Sequence, residues 1–153
     1  VPGELYAGYT DAGGNSQAIR FNDDNNTEKE ITVRLPPRAG LTVVASRNHG
    51  DDARLNRFLE GHKVEKVLKR GSSIKLCAIA AGKADLYPRF GETSEWDIAA
   101  GDAILRAAGG VLCDMNGEKM VYGKTANNFV NPAFIACSND IAAMLDFREL
   151  QKI

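Results

Sequence analysis

Four short stretches of this chain carry side chains able to act on an anion. In Trp96-Asp97-Ile98-Ala99-Ala100-Gly101-Asp102-Ala103-Ile104-Leu105-Arg106-Ala107-Ala108-Gly109-Gly110, Asp97 stands where a helix should start. Its carboxylate can cap free backbone N–H groups or ligate a metal ion, and spacing alone leaves both open. A helix N-terminus also favours a nearby anion such as phosphate. Ser72 and Ser73 open a second helix, where they can cap it and face an anion with a cluster of donors. Lys75, one turn inside that helix, reads on its own as a solvent-exposed charge. His49 follows an apolar strand at its C-terminal end, where α/β domains place ligands, although an ordinary loop histidine fits equally. Arg89 follows Pro88 at the end of another strand and reads by itself as a surface arginine. Cys77, Cys113 and Cys137 lie in apolar stretches without a C-x-x-C pair, which predicts buried, reduced thiols. No Cys/His cluster has zinc-ligand spacing.

The elements that must position these groups can be read from periodicity. Residues 4–9 and 17–21 form short strands around the turn Asp11-Ala12-Gly13-Gly14-Asn15, and Asn22 to Glu30 reads as a polar loop. Residues 31–35 are expected as a third strand, closed by Pro36-Pro37. Three strands without a helix cannot bury both faces, so they read as part of a larger sheet. Leu41 to Ala45 is a buried β-branched strand, and Asp51 or Asp52 starts a helix to about Glu60 on Leu55, Phe58 and Leu59. His62 to Lys69 is a strand. The helix after Ser73 buries Ile74, Cys77, Ala78 and Ala81 and ends at Gly82, with a strand at 84–87. A helix from Asp97 to Ala108 buries Ala100, Ala103, Ile104 and Ala107, with the Asp102–Arg106 pair on its outer face. Strands at 111–113 and 134–137 follow, and Asn139 or Asp140 caps a last helix. Such alternation predicts an α/β layered sandwich, divided near Pro36-Pro37 into residues 1–37 and 38–153.

Composition bounds the function. A chain of 153 residues with 44% hydrophobic and 25% charged residues is globular and sized for about one domain. Its formal net charge of −1 gives no global field for a nucleic-acid polymer or an anionic membrane. Apolar runs such as Ala78-Ile79-Ala80-Ala81 are too short to span a bilayer, and no secretory signal pattern opens the chain. A soluble, cytoplasmic domain is expected, with peripheral membrane association left open.

The Trp96–Gly110 stretch resembles, at every position, the second signature of the inositol monophosphatase superfamily of Mg²⁺-dependent phosphatases. Further blocks are similar to its CysQ-type 3′(2′),5′-bisphosphate nucleotidases. They are Ser46-Arg47-Asn48-His49 (Ser-Arg-Ser-His there), Gly71-Ser72-Ser73-Ile74-Lys75, Ala84-Asp85-Leu86-Tyr87-Pro88-Arg89-Phe90-Gly91 and Phe129-Val130-Asn131-Pro132. The blocks run in the family's order from about Val1 to Cys137 but cover only its C-terminal part.

The resemblance implies the family's C-terminal α/β domain with a few trailing strands of its N-terminal sheet. It implies Asp97 as a catalytic metal ligand for Mg²⁺, and Ser72, Ser73 and Lys75 as ligands of a nucleotide phosphate. It also implies His49 and Arg89 as positioning groups, Arg89 on the second phosphate or the base. The implied reaction is hydrolysis of 3′-phosphoadenosine 5′-phosphate to AMP and phosphate, a clean-up step linked to sulfate assimilation. The family's Asp-Pro-(Ile/Leu)-Asp-Gly-Thr motif and upstream glutamate are not in these 153 residues. Most metal ligands are therefore expected upstream of Val1, and this chain is expected to be inactive alone. Turnover of inositol phosphates or sugar bisphosphates is the neighbouring alternative. A non-catalytic nucleotide-binding or assembly domain is the alternative of another class. Self-association through an exposed sheet edge is a further expectation.

Overall fold

The computed structural model describes residues 3–46 and 52–152. Strands β1 (Glu4–Thr10), β2 (Ser16–Asn22) and β3 (Thr27–Glu30) form an antiparallel sheet in that order. A second sheet joins β4 (Leu41–Ala45), β5 (Val64–Lys69), β6 (Leu86–Arg89), β7 (Gly110–Asp114) and β8 (Phe134–Ser138) in the order β5-β4-β6-β8-β7. The helices are α1 (Asp52–Leu59), α2 (Ile74–Ala80), α3 (Glu95–Ala107), α4 (Asn139–Ala142) and α5 (Phe147–Leu150).

Alternation along the second sheet builds two cores. Val44, Tyr87, Leu112, Phe134 and Ala136 face α2 and α3, whereas Val43, Ala45, Leu86, Cys113, Ile135 and Cys137 face α1, α4 and α5. Ala18 of β2 and Ile31 join the first of these cores. The layers therefore run sheet, helices, sheet, helices, the α/β layered sandwich expected from sequence.

Close approach between layers rests on two glycines. A Cβ on Gly8 of β1 would lie 2.8 Å from the Ile104 Cα, and one on Gly101 would lie 2.6 Å from Leu76 Cδ1. Backbone thus packs directly against α3 on one side and Leu76 of α2 on the other. On the far face of the first sheet Leu5 and Tyr9 are exposed, with Phe21 paired to Leu5 and Ile19 paired to Ala7 between them.

Several expectations need correction. The third strand is Thr27–Glu30, inside the segment read as a loop, and 31–35 forms no strand. All four β3 residues are exposed, so their pairing is carried by backbone and leaves no apolar pattern. The apolar Ile31 and Val33 instead cross between layers, their N–H groups donating to the carbonyls of Ala18 and Ala108. Helix α3 begins at Glu95 rather than Asp97, and its buried stripe is Ile98, Gly101, Asp102, Ile104 and Leu105, while Ala100 and Ala103 are exposed. Asp102 is not an outer-face decoration. It is buried, accepts from the Tyr122 hydroxyl at 2.7 Å, and pairs with Arg106 at 2.8 Å.

Candidate functional site

The second sheet carries its own directions for a site. Strands β4, β5 and β6 are parallel, and β5 and β6 flank β4 on opposite sides. The β4-α1-β5 crossover covers one face and β5-α2-β6 the other, so the chain reverses its direction of growth at β4/β6. Doubly wound sheets bind ligands outside the carboxyl ends of strands at such a switch point. A cleft of about 450 Å³ lies at this place, with Ser46 after β4 and Arg89 at the end of β6 among its walls. That volume suits a small-molecule ligand.

Five residues singled out by sequence meet in this cleft: Ser72, Ser73, Lys75, Arg89 and Asp97. His49 lies outside the described residues. Ser46, Tyr87, Glu92, Thr93 and Trp96 also line the cleft and were not singled out as site residues. Glu92 and Thr93 sit in the loop after β6, and only the strand-end position could have flagged them.

Lys75 is not the exposed helical charge that its position suggested. It is buried, and its ammonium donates to the Ser72 carbonyl at 2.8 Å and the Arg70 carbonyl at 3.3 Å, 5.0 Å from the Tyr87 ring centroid. The carbonyl that receives it belongs to a strained residue, since Ser72 has φ +62°. Lysine and loop therefore fix one another. Ser73 occupies the N-cap position of α2, but its hydroxyl makes no capping bond, contrary to the expected serine cap. Both serine side chains are exposed at the cleft.

Asp97 is the third residue of α3 and closes a capping box with Ser94, whose N–H donates to Asp97 Oδ2 at 2.8 Å. The N-cap itself is Ser94, three residues earlier than expected, and Asp97 supports it from inside the helix while lining the cleft. The neighbouring Glu95 fastens the 121–130 segment instead. Lys124 Nζ lies 2.7 Å from its carboxylate, and the N–H groups of Gly123 and Lys124 donate to it. The Lys124 ammonium chiefly holds the Glu95 carboxyl down at about 2, against the opposing effect of burial. Asn131, from the Phe-Val-Asn-Pro block, is buried and donates through its backbone N–H to the Thr93 carbonyl and through Nδ2 to the Thr93 hydroxyl, bracing the cleft loop.

A carboxylate oxygen of Asp97 suits a hard cation, and Mg²⁺ is commonly held by one or two carboxylates together with substrate phosphate. Among the described residues, no group of three His, Cys, Asp or Glu side chains comes together to hold a metal. Asp97 fits as one ligand rather than as a complete site. The three cysteines are free and buried, and burial pushes Cys113 up to about 11 and Cys137 up to about 12, which leaves them poor nucleophiles. Among the described residues no helix is long and apolar enough to cross a membrane.

Comparison with known proteins gives this geometry a setting. The chain is 41% identical over 116 residues to the 3′(2′),5′-bisphosphate nucleotidase CysQ of Salmonella typhimurium, covering 74% of this chain and 45% of that protein. Its structure resembles CysQ from Bacteroides thetaiotaomicron with a TM-score of 0.65 and 32% identity, over 79% of this chain and 50% of the other. The suhB protein of Bartonella henselae shares the fold at 19% identity, with a TM-score of 0.62 over 89% of this chain and 57% of that one. The chain spans about half the length of the CysQ proteins it matches. Residues 1–146 match the inositol monophosphatase family, and the chain belongs to that family.

Proposed function

We propose that the whole protein is a Mg²⁺-dependent phosphatase that removes the 3′-phosphate of 3′-phosphoadenosine 5′-phosphate, giving AMP and phosphate. In this reading the present chain supplies the substrate-binding wall of the site, and residues 1–37 are trailing strands of an N-terminal sheet domain joined to a C-terminal domain, 38–153. The observation that carries the reading is the meeting of Lys75, Arg89, Ser72, Ser73 and Asp97 in one cleft at the β4/β6 switch point. The 41% identity to a bisphosphate nucleotidase supports the nucleotide ahead of inositol phosphates and sugar bisphosphates.

Lys75 and Arg89 bring positive charge to a cleft that a doubly phosphorylated substrate would enter with several negative charges. The ammonium acts as a point charge and the guanidinium as a planar fork. Exposed hydroxyls of Ser72 and Ser73 add neutral donors that cost little to desolvate. Asp97 would hold Mg²⁺, which when bound neutralises phosphate charge and activates water. His49 is proposed to position the nucleotide with them.

The test is calorimetric titration of this chain with the adenosine bisphosphate, with and without Mg²⁺, beside phosphate-release assays on the same ligand and on inositol monophosphate. Binding of the nucleotide that Mg²⁺ strengthens, with little or no turnover by this chain alone, is expected. Affinity indifferent to Mg²⁺ would favour a nucleotide-binding module without metal chemistry. Preference for inositol monophosphate would overturn the substrate assignment.

A further inference from the structure

The Phe129-Val130-Asn131-Pro132 block carries a polar side chain that the phosphate reading leaves unused. Asn131 is 5% exposed, and its amide is only half satisfied. Nδ2 donates to the Thr93 hydroxyl at 3.1 Å, while Oδ1 is buried with no hydrogen-bond partner among the described residues. That oxygen is enclosed by this chain itself, so no further length of polypeptide can reach it. A buried acceptor left unpaired is destabilising, and a native structure that keeps one calls for a reason.

Bracing the cleft loop does not require this side chain. Backbone alone joins the two segments. Ser94 and Val130 form an isolated antiparallel bridge, the Asn131 N–H donates to the Thr93 carbonyl at 2.8 Å, and the Glu95 N–H donates to the Phe129 carbonyl at 2.9 Å. A leucine at 131 would fill similar space without stranding an oxygen. What the amide adds is a direction for the Thr93 hydroxyl. A threonine oxygen holds one proton and can also accept, so once it accepts from Nδ2 its proton is left to be given elsewhere. The reverse arrangement, with the hydroxyl donating to Oδ1, would bury the NH2 group without an acceptor, and orphaned N–H groups are rarer than under-satisfied oxygens. Among the described residues nothing accepts the Thr93 proton, and Thr93 lines the cleft together with Arg89 and Asp97.

Resting on the phosphatase reading above, we propose that Thr93 is a further substrate-binding residue whose hydroxyl donates to a phosphoryl oxygen, with Asn131 as the positioning residue that turns its proton to the cleft. An ionised phosphoryl oxygen is the fitting acceptor, because it offers lone pairs and makes the hydrogen bond charge-assisted. The exposed hydroxyls of Ser72 and Ser73 lose rotational freedom when they meet a ligand. A β-branched side chain already held by Asn131 loses less.

The experiment titrates the 153-residue chain with adenosine 3′,5′-bisphosphate and Mg²⁺ and follows the two ³¹P resonances of the bound ligand. Thr93→Val keeps the shape and removes the hydroxyl. It is expected to weaken binding about tenfold to a hundredfold, the span for one hydrogen bond to a charged group, and to shift one of the two resonances. Thr93→Ser should retain most of the affinity. Asn131→Leu should leave the urea unfolding midpoint unlowered yet weaken binding severalfold, and in a Thr93→Val background it should weaken binding no further. Full affinity in Thr93→Val, or weak binding with both resonances unmoved, would overturn the donor role and leave the phosphatase reading intact. An Asn131→Leu loss equal in both backgrounds, or a lowered midpoint with affinity unchanged, would overturn the positioning role. An unaltered chain that fails to bind the bisphosphate would overturn the functional reading and this inference with it.

Discussion

Asp85 and Arg34 make the sharpest energetic test of how the two sheets are joined. The Asp85 side chain is wholly buried and accepts three bonds: Arg34 Nε at 2.7 Å, Arg34 Nη2 at 2.6 Å and the Thr42 N–H at 2.7 Å. Arg34 belongs to the 31–35 crossing, Thr42 to β4 where its register with β5 shifts, and Asp85 to the approach to β6. One carboxylate therefore pins the linker of the first sheet onto the centre of the second. Asp85→Ala leaves the buried Thr42 N–H without this acceptor, which costs about 1–3 kcal/mol. The Arg34 guanidinium is 38% exposed and can turn to water, so its loss adds only about 1 kcal/mol. A net cost of about 3 kcal/mol follows, at the low end of the range for breaking a buried pair. Arg34→Met is expected to cost at least as much, because it strands the fully buried charge with one N–H for company.

Urea unfolding followed by circular dichroism measures both variants, and a thermal scan should show Asp85→Ala melting roughly 6–12 °C lower for a chain of this size. The double variant should be less destabilised than the sum of the singles. A cost below about 1 kcal/mol for Asp85→Ala, or strict additivity, would refute the claim that this pair joins the layers.

Glu95 titrates at about 2 in the folded chain, below its ordinary carboxylate value of 4.5, so the stability it lends is fully present above pH 4.5 and lost as pH falls towards 2. Glu95→Gln should flatten acid unfolding across that window, and an unchanged acid limb would count against the Lys124 clamp. Gly8→Ala puts a methyl 2.8 Å from the Ile104 backbone and should cost about 1–3 kcal/mol in urea unfolding; a neutral result would mean β1 does not press on α3. On the proposed function, Asp97→Ala in the whole protein should abolish turnover and Lys75→Ala should chiefly raise KM for bisphosphorylated nucleotide; steady-state kinetics showing unchanged turnover at saturating Mg²⁺ would remove Asp97 from the proposed reaction. The far face carrying the exposed Leu5 and Tyr9, and the open edges at β1 and β3, should drive self-association of this chain, and a clean monomer at high concentration in sedimentation would contradict that expectation.

What the sequence made legible divides along physical lines. Strands β4 and β8 announce themselves as apolar runs because both faces are covered, whereas β3 is exposed on all four residues and leaves no periodic trace. The small residues of α3 permit the close approach of Gly101 to Leu76, yet the buried side differs from the one periodicity predicts. Ala is apolar enough to suggest a core and small enough to sit in solvent at no cost, as Ala100 and Ala103 do. Asp102 failed the other way, because an i, i+4 ion pair is the usual surface motif and nothing local foretells Tyr122 reaching it from twenty residues on. The site residues were legible mainly through resemblance. Lys75 shows why, since its burial depends on the strained Ser72 carbonyl and on Tyr87, neither of which periodicity can see.

The position of Asp97 explains how a helix cap and a cleft carboxylate coexist in one residue. At an N-cap its side chain would fold back over the first turn and spend its oxygens on the helix N–H groups. At the third position the work is shared: Ser94 holds the N-cap, and Asp97 Oδ2 answers the single Ser94 N–H, the one hydrogen bond this carboxylate makes among the described residues. The other oxygen is left for the cleft, on a helix whose first turn is braced by Glu95, Lys124 and Phe129. A carboxylate preorganised in this way loses little entropy on meeting a cation. It is nevertheless a single ligand, and a phosphate-bound Mg²⁺ needs more oxygen than one side chain supplies. The proposed function therefore gives this chain the recognition of a phosphorylated ligand. It also makes metal affinity a property that should emerge only when that ligand, or a second set of carboxylates, shares the cleft.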